Sequence, residues 1–494
     1  MRTLLLSLTT SSALLGIAAC SPDKDEDPGD VDAGDTDGPV SETPLDAAIA
    51  LSTDINTVAF VTWTPPDAGT SWVEYGLETL DLSTPHVPTG TESHEQVLLG
   101  MKADRTYSWR AVTEIDGIRH ESPVEPIETG TPPAGVGIPT LTVDDRASAD
   151  PANWLLTISH GAEDTPATVV IYDRDGDPVW YWVTPSDERE SHTARPGWDG
   201  RSILYGFYDQ NQVDDEGGIY RIGMDGRSEV FTPTVEAHHD FVERRDGTLA
   251  YLTLDYRDDL DVEGEIVNVV SDAILETDEG VVDVAASPPR EIYNQFDDSG
   301  QALYWTCSDM RKDFDGQPYK QWSHANSLMP DPVEPDRYYW TNYRYQDSLL
   351  KIDRDTHAIA WQIGGVNDDS DLLEADAFDH GHMSHFWPGG FLMFDNNTHE
   401  DTVSYVREYE YDEATKHVSL VQSWSGREEA PGMADARMTT VDTVLVNWKP
   451  EDIVQEITRG DEVVWELDFT GGDAGPSRLM LLNDLYELDD PYAF

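Results

Sequence analysis

One unit recurs six times between residues 169 and 465, and that recurrence restricts the chain to repeat architectures. The unit is an apolar pair, an acidic or Gly-containing turn, and a run ending on an aromatic side chain. The first copy runs from Val169 and Val170 through Asp173 to Trp180, and the second from Ile219 through Asp225 and Gly226 to Phe231. The third is interrupted: residues 273–276, a turn at Asp278 and Gly280, then a resumed strand at Ile292 and Tyr293. The others occupy residues 349–361, 409–424 and 453–465, and all three end on Trp. Period-two alternation around turn residues predicts antiparallel hairpins. A hairpin cannot bury its apolar face alone, so six copies predict an all-β, six-bladed β-propeller over residues 137–494. Asp173, Asp175 and Asp177 superficially suggest a calcium loop. They stand where every copy has its turn and lack the ligand ladder of such a loop, so a hairpin turn is expected.

A second strand lies between these units, at residues 200–205, 247–252, 338–340, 390–394 and 443–446, and is expected near the central channel. Counting back eight residues from Gly200, Gly247 and Gly390 reaches His192, His239 and His382. The fourth repeat has a longer loop, preceded by His324, and the fifth has Ala434 at this place. Equivalent positions in a propeller form a ring about its axis, so histidines from different blades can converge on one cavity. Near His324 stand Asn326 and Arg344, two further donors suited to an anion.

The N-terminus is not part of the fold. Arg2, a short apolar run at residues 4–15, and Ile17, Ala18, Ala19 and Cys20 resemble a bacterial lipoprotein signal peptide with its lipobox, residues 1–20. The run is too short to span a membrane, so the expected anchor is acyl chains on Cys20. Ser21 after Cys20 points to the outer membrane of a Gram-negative bacterium, at its periplasmic face or the cell surface. Residues 21–43 read as a disordered acidic tether. Residues 44–133 alternate between strand-like runs and Pro/Gly/Asp turns and resemble a fibronectin type III-like β-sandwich, with residues 101–107 as its tyrosine-corner segment.

Acidic residues number 97 against 31 basic ones, a formal net charge of −66. This excludes a nucleic-acid surface, and it requires that any anion site be built from local donors. With Cys20 lipidated, Cys307 is the only thiol left, so no intramolecular disulfide forms in the mature chain. The oligomeric state is not legible.

His238, His239, Asp240 and Phe241, then Trp322, His324, Asn326 and Ser327, then Arg344 eight residues before Ile352, carry a more specific likeness. With Trp361, Gln362, Gly364 and Gly365, and with His382 ahead of Phe394, Asp395 and Asn396, they resemble the bacterial arylsulfate sulfotransferases over most of residues 150–485. The resemblance implies a six-bladed propeller that moves a sulfuryl group from a phenolic sulfate ester to another phenol. The transfer would run through a sulfated histidine, without a nucleotide donor, cofactor or metal. It implies His382 as nucleophile, with His239, His324, Asn326 and Arg344 as the other catalytic and substrate-binding residues. Met383, Ser384 and His385 depart from the family's usual residues here. The chemistry agrees: sulfuryl transfer, like phosphoryl transfer, needs positioning and donors aimed at equatorial oxygens, and a neutral imidazole is a competent nucleophile. No phosphate-cradling Gly-x-x-x-x-Gly-Lys loop is present. Two alternatives remain open at this point, a non-catalytic lipid-anchored binding propeller and a metal-dependent lyase or hydrolase using the histidine ring.

The anchor is directly testable. Cys20→Ser is expected to abolish incorporation of labelled fatty acid, because only the thiol forms the thioether; equal labelling of wild type and variant would refute the anchor.

Overall fold

Asp and Gly at the repeat turns, with β-branched and aromatic residues between them, give almost exclusively antiparallel strands in the computed structural model. It describes residues 39–160, 165–185, 193–208, 217–262, 264–304, 311–314, 316–399, 403–430, 432, 434–449, 451–470 and 475–492. Cys20, His192, Cys307 and most of the acidic tether lie outside these residues.

Six sheets, each built on four antiparallel strands, form the blades. From the axis outward, blade 2 holds Ala194–Pro196, Ser202–Phe207, Gly218–Gly223 and Glu229–Pro233. Blade 3 follows with Ala237–Glu243, Thr248–Val262, Glu265–Asp278 and Arg290–Asn294. Blade 4 holds Ala325–Pro330, Tyr338–Tyr343, Ser348–Asp353 and Ala358–Gly364. Blade 5 holds Gly381–Trp387, Gly390–Asp395, Tyr405–Asp412 and His417–Ser425. Blade 6 holds Asp435–Met438, Val444–Trp448, Ile453–Ile457 and Val463–Asp468. Blade 1 closes the ring: Trp154–His160, Thr168–Asp173 and Pro178–Val183 take their inner strand, Gly475–Leu482, from the C-terminal end. A second closure adds Thr140–Asp144 to the outer edge of blade 6. The inner strands of blades 3, 4, 5, 6 and 1 pack on one another in order, and blade 2 packs between blades 1 and 3.

The recurring unit is therefore the outer hairpin of each blade, and its terminal Trp has a structural reason. Trp180 donates its indole N–H to Met224 O at 3.0 Å, Trp424 to Thr458 O at 3.0 Å, and Trp465 to Arg174 O at 2.9 Å. Each acceptor lies at the outer turn of the next blade. A charge pair repeats the link. Glu276, Glu408 and Glu456, on third strands, bind Arg354, Arg459 and Arg174 in the following blade's turn. At the blade 4–5 joint the signs are reversed, and Lys351 meets Glu413 at 2.7 Å. The second repeated strand is one place out from the axis. The true inner strands are more polar segments.

Ahead of the propeller, Ala47–Leu51, Ala59–Trp63 and His94–Leu98 form one sheet. Leu82–Ser83, Gly69–Gly76, Thr106–Ile115 and Ile118–Glu121 form the core of another. Val61, Trp63, Val73, Tyr75, Tyr107 and Trp109 belong to the cluster buried between them. The Tyr107 hydroxyl accepts from Lys102 N at 2.8 Å. Residues 39–41 pair with the strand carrying Arg119, so the folded unit includes residues ahead of position 44. This unit is docked on the propeller. Ile55, Val58, Phe60 and Leu99 join the blade 1 core, and Asn56 N donates to the Tyr181 hydroxyl at 2.7 Å. Lys102 Nζ sits among Asp173, Asp175 and Asp177 at 2.7, 3.0 and 2.8 Å, so an ammonium occupies that acidic hairpin turn.

Glu456 is fully buried at the closing joint and accepts from Arg174, Asp150 N and Thr443 Oγ1, each at 2.6 Å. Glu456→Ala strands a buried guanidinium and is expected to cost about 3–5 kcal/mol. Thermal unfolding reads this as a lower midpoint; an unchanged midpoint would show that the joint does not depend on the pair.

Candidate functional site

The inner strands of blades 3, 4 and 5 each carry a β-bulge near the same mouth of the channel. The breaks fall between Ala237 and Phe241, between Ala325 and Ser327, and between Gly381 and Ser384. Bulges re-aim side chains beside functional sites. His239, Asn326 and His382 all lie inside these breaks, and His324 immediately precedes the second. Arg344 opens a 3₁₀ turn, Arg344–Gln346, at the same end of blade 4.

Backbone conformation revises the expected ring. His239, His324, His380 and Ala434 have φ of 53°, 54°, 53° and 89°. Each precedes the residue where an inner strand settles: Asp240, Ala325, Gly381 and Asp435. The blade 5 counterpart of His239 and His324 is thus His380, and His382 corresponds to Asn326. Left-handed backbone at non-Gly residues costs of order 1–3 kcal/mol and concentrates at functional sites.

The side chains form two linked groups. The rings of His239 and His324 stand 5.0 Å apart, and Tyr345 packs 4.7 Å from His324. His324 Nδ1 meets Gln321 Oε1 at 2.6 Å, and the His324 carbonyl accepts from Arg344 N at 3.2 Å. His239 Nδ1 lies 2.8 Å from His238 Nδ1, so one donates and the other accepts. His238 Nε2 in turn lies 3.0 Å from buried Asp272 Oδ1, an ion-pair distance off the ideal hydrogen-bond axis. Asp272 favours the proton on His238 Nε2, which makes His238 Nδ1 the acceptor and leaves the His239 lone pair on Nε2. Ser323 Oγ also donates to Asp272.

In the second group Asn326 Nδ2 donates to Gly381 O at 3.3 Å, and Asn342 Nδ2 donates to Asn326 Oδ1 at 2.9 Å. His382 is buried, and its Nδ1 lies 3.0 Å from Ala434 O. A carbonyl can only accept, so Nδ1 carries the proton and the neutral ring has its lone pair on Nε2. A Cβ placed on Gly432 would lie 3.7 Å from Arg344 Nη1, so the guanidinium reaches the segment that supplies Ala434. His385 is different. It accepts from Met438 N, and burial, with Arg437 and Arg195 nearby, pushes its pKa down to about 3.

Below the mouth lies a buried ionic floor. Arg195 Nη2 and Arg478 Nη1 meet Asp240 Oδ1 at 2.7 and 2.9 Å, and Arg478 Nη2 donates to Asn326 O at 2.5 Å. Burial would raise the Asp240 pKa, but the two guanidinium groups hold it below its ordinary value. Of the residues singled out from sequence, His239, His324, Asn326, Arg344 and His382 share this mouth. Asp272, Ser323, Asn342 and Tyr345 were missed. Asp272 had one signal, an acid inside the apolar run of residues 269–275.

The Gly364 and Gly365 motif also finds its reason here. Both have φ above 70°, and a Cβ on either would meet Asp347 O at 2.6 Å or Gln346 O at 2.5 Å, in the turn that carries Arg344. Gly365→Ala is expected to shift that turn and lower the thermal midpoint. An unaltered midpoint would show that the turn does not need the close approach.

Comparison with known proteins adds a family. Residues 141–430 match the arylsulfotransferase (ASST) family. No curated protein matches the chain. Among solved structures, a chain of a nidogen/laminin complex has 9% identity and TM-score 0.38, covering 66% of this chain and 97% of that one. A streptogramin B lyase has 11% identity and TM-score 0.35, covering 68% and 88%. Apo AztD from Citrobacter koseri has 10% identity and TM-score 0.33, covering 66% and 97%. These likenesses are too distant to bear on the chemistry.

Proposed function

Because the chain belongs to the arylsulfotransferase family, we propose that it moves a sulfuryl group from a phenolic sulfate ester to a phenolic acceptor, with His382 as the carrier and no nucleotide donor. The observation that carries this reading is the His382 Nδ1 contact with Ala434 O, which sets the lone pair on Nε2 in a bulge at the channel mouth. In the first half-reaction Nε2 attacks sulfur, the S–O bond to the aryl group breaks, and the departing phenolate takes a proton from His324 or His239 in its imidazolium form, which is left neutral. In the second, the same imidazole accepts the proton of the incoming phenol, whose oxygen attacks sulfur as the N–S bond breaks. Arg344 and the second amide proton of Asn326 are assigned to the equatorial sulfuryl oxygens, where charge spreads in the loose transition state.

The buried guanidinium groups below suit this chemistry. Arg195, Arg437 and Arg478 face Asp240 and Asp435, leaving one positive charge in excess within a strongly acidic chain. We also assign the N-terminal unit as a fibronectin type III-like spacer, fixed on the propeller and joined through the tether to a lipid on Cys20 at the outer membrane.

Purified protein given a chromogenic aryl sulfate and a phenol, with no nucleotide present, is expected to release phenolate in an acceptor-dependent way. His382→Asn should end turnover, since an amide has no nucleophilic nitrogen. Arg344→Lys should lose ~2–4 kcal/mol of transition-state stabilisation, because an ammonium cannot reproduce the planar two-donor fork. Near-wild-type turnover in folded His382→Asn would overturn the proposal, and near-wild-type turnover in Arg344→Lys would remove Arg344 from the sulfuryl site.

A further inference from the structure

Two carboxylates and two imidazoles, from Asp347, Asp379, His380 and His399, converge beside the mouth, with one ligand atom from each within 4.8 Å of the others. We propose that this quartet binds one divalent transition-metal ion, with zinc the best match, and that the ion ties the Arg344 turn to the strand that carries His382. The site is separate from the histidines assigned to sulfuryl transfer and does not rest on that assignment.

The donor set is the first argument. Two imidazole nitrogens and two carboxylate oxygens suit zinc or a neighbouring first-row ion, whereas calcium and magnesium prefer oxygen alone. The rings aim at one point. His380 Nδ1 and His399 Nδ1 lie 2.5 and 2.7 Å from the same oxygen, Asp379 Oδ1. Asp347 Oδ1 lies 3.8 Å from His380 Nδ1. Bonds to zinc of ~2.0–2.2 Å space tetrahedral donors by roughly 3.3 Å, so Asp379 would move back by less than an ångström. Each ring would give its Nδ1 lone pair to the metal and keep its proton on Nε2.

Second, the ligands are held by an outer layer of hydrogen bonds. His380 N donates to Asp347 Oδ1 at 2.8 Å, and His399 N donates to Asp379 Oδ2 at 2.6 Å. Asp395 Oδ1 accepts from Asp379 N and Asn397 N, while its other oxygen meets Arg407 at 2.6 Å. Such partners orient metal ligands before the ion arrives. Asp347 and His380 converge at the expense of backbone strain, with φ of 48° and 53°.

Third, this cluster differs from the other close group of acids. Asp173, Asp175 and Asp177 enclose Lys102, which supplies a cation from the chain itself. Among the described residues, neither Asp347 nor Asp379 has an ion pair with Lys or Arg. The two carboxylates therefore meet no Lys or Arg at the quartet, and a divalent ion would answer their charge. The placement lets the ion act as a clasp between two parts of the mouth. Asp347 follows Arg344 by three residues, and His380 precedes His382 by two.

The test uses untagged full-length protein in detergent, stripped with a chelator and titrated with zinc chloride by calorimetry, with bound metal counted by elemental mass spectrometry. One zinc per chain is expected, with a higher thermal midpoint in the loaded protein. His399 is 45% exposed, so His399→Ala should keep the fold and weaken zinc binding at least ~10-fold. Asp379→Asn should do the same. No stoichiometric binding by the wild type overturns the proposal. So does binding that survives both substitutions but is lost in His239→Asn, which would place the metal in the histidine ring instead.

Discussion

Asp240 has no solvent exposure, and the mouth above it depends on how its charge is met. Its carboxylate takes Arg195 from blade 2 and Arg478 from blade 1, and accepts Leu328 N from blade 4 at 2.8 Å. One side chain thus joins four blades at the axis. Arg478 goes on to bind the carbonyl of Asn326, so the ionic floor and the bulge that presents Asn326 are a single hydrogen-bonded unit. Asp435 repeats the device between blades 6 and 1 by accepting Leu479 N at 2.9 Å. Buried charges of this kind are tolerated only when fully paired, which fixes the relative rotation of the blades as well as holding them together.

The outer ring uses different physics for the same purpose. Indole N–H groups cross three of the joints, and Glu–Arg or Lys–Glu pairs cross four, with apolar packing beneath them. The sequence repeat is the trace of that arrangement, because the aromatic that ends a copy reaches its neighbour's turn at Trp180, Trp424 and Trp465. This is why the hairpins ending on Trp180, Phe231, Trp361, Trp424 and Trp465 were legible in the chain.

The axis was legible only in part. Inner strands such as Ala194–Pro196 and Asp435–Met438 are short, and bulges break their alternation, so no period-two signal marks them. The closure of blade 1 by Gly475–Leu482 is a contact across the whole propeller, which local pattern cannot reveal. The histidines were found because they stand near a fixed offset from a repeated strand. That same count aligned His382 with His239, whereas the left-handed residue of blade 5 is His380. His380 stands ten residues before Gly390, two more than His239 stands before Gly247, and the longer segment holds the blade 5 bulge. Asp272 was missed because its partner His238 is distant in sequence and only the fold makes them neighbours.

The account turns on His382 Nε2 as the atom that carries the sulfuryl group. The direct measurement mixes enzyme with aryl sulfate in the absence of phenol, quenches rapidly in alkali, where a sulfated imidazole is expected to outlast acid conditions, and maps the peptides by mass. The account predicts a sulfuryl adduct on His382 that disappears when phenol is supplied before the quench. An adduct on His239, His324, His380 or His385, or none at all during rapid turnover, would contradict it.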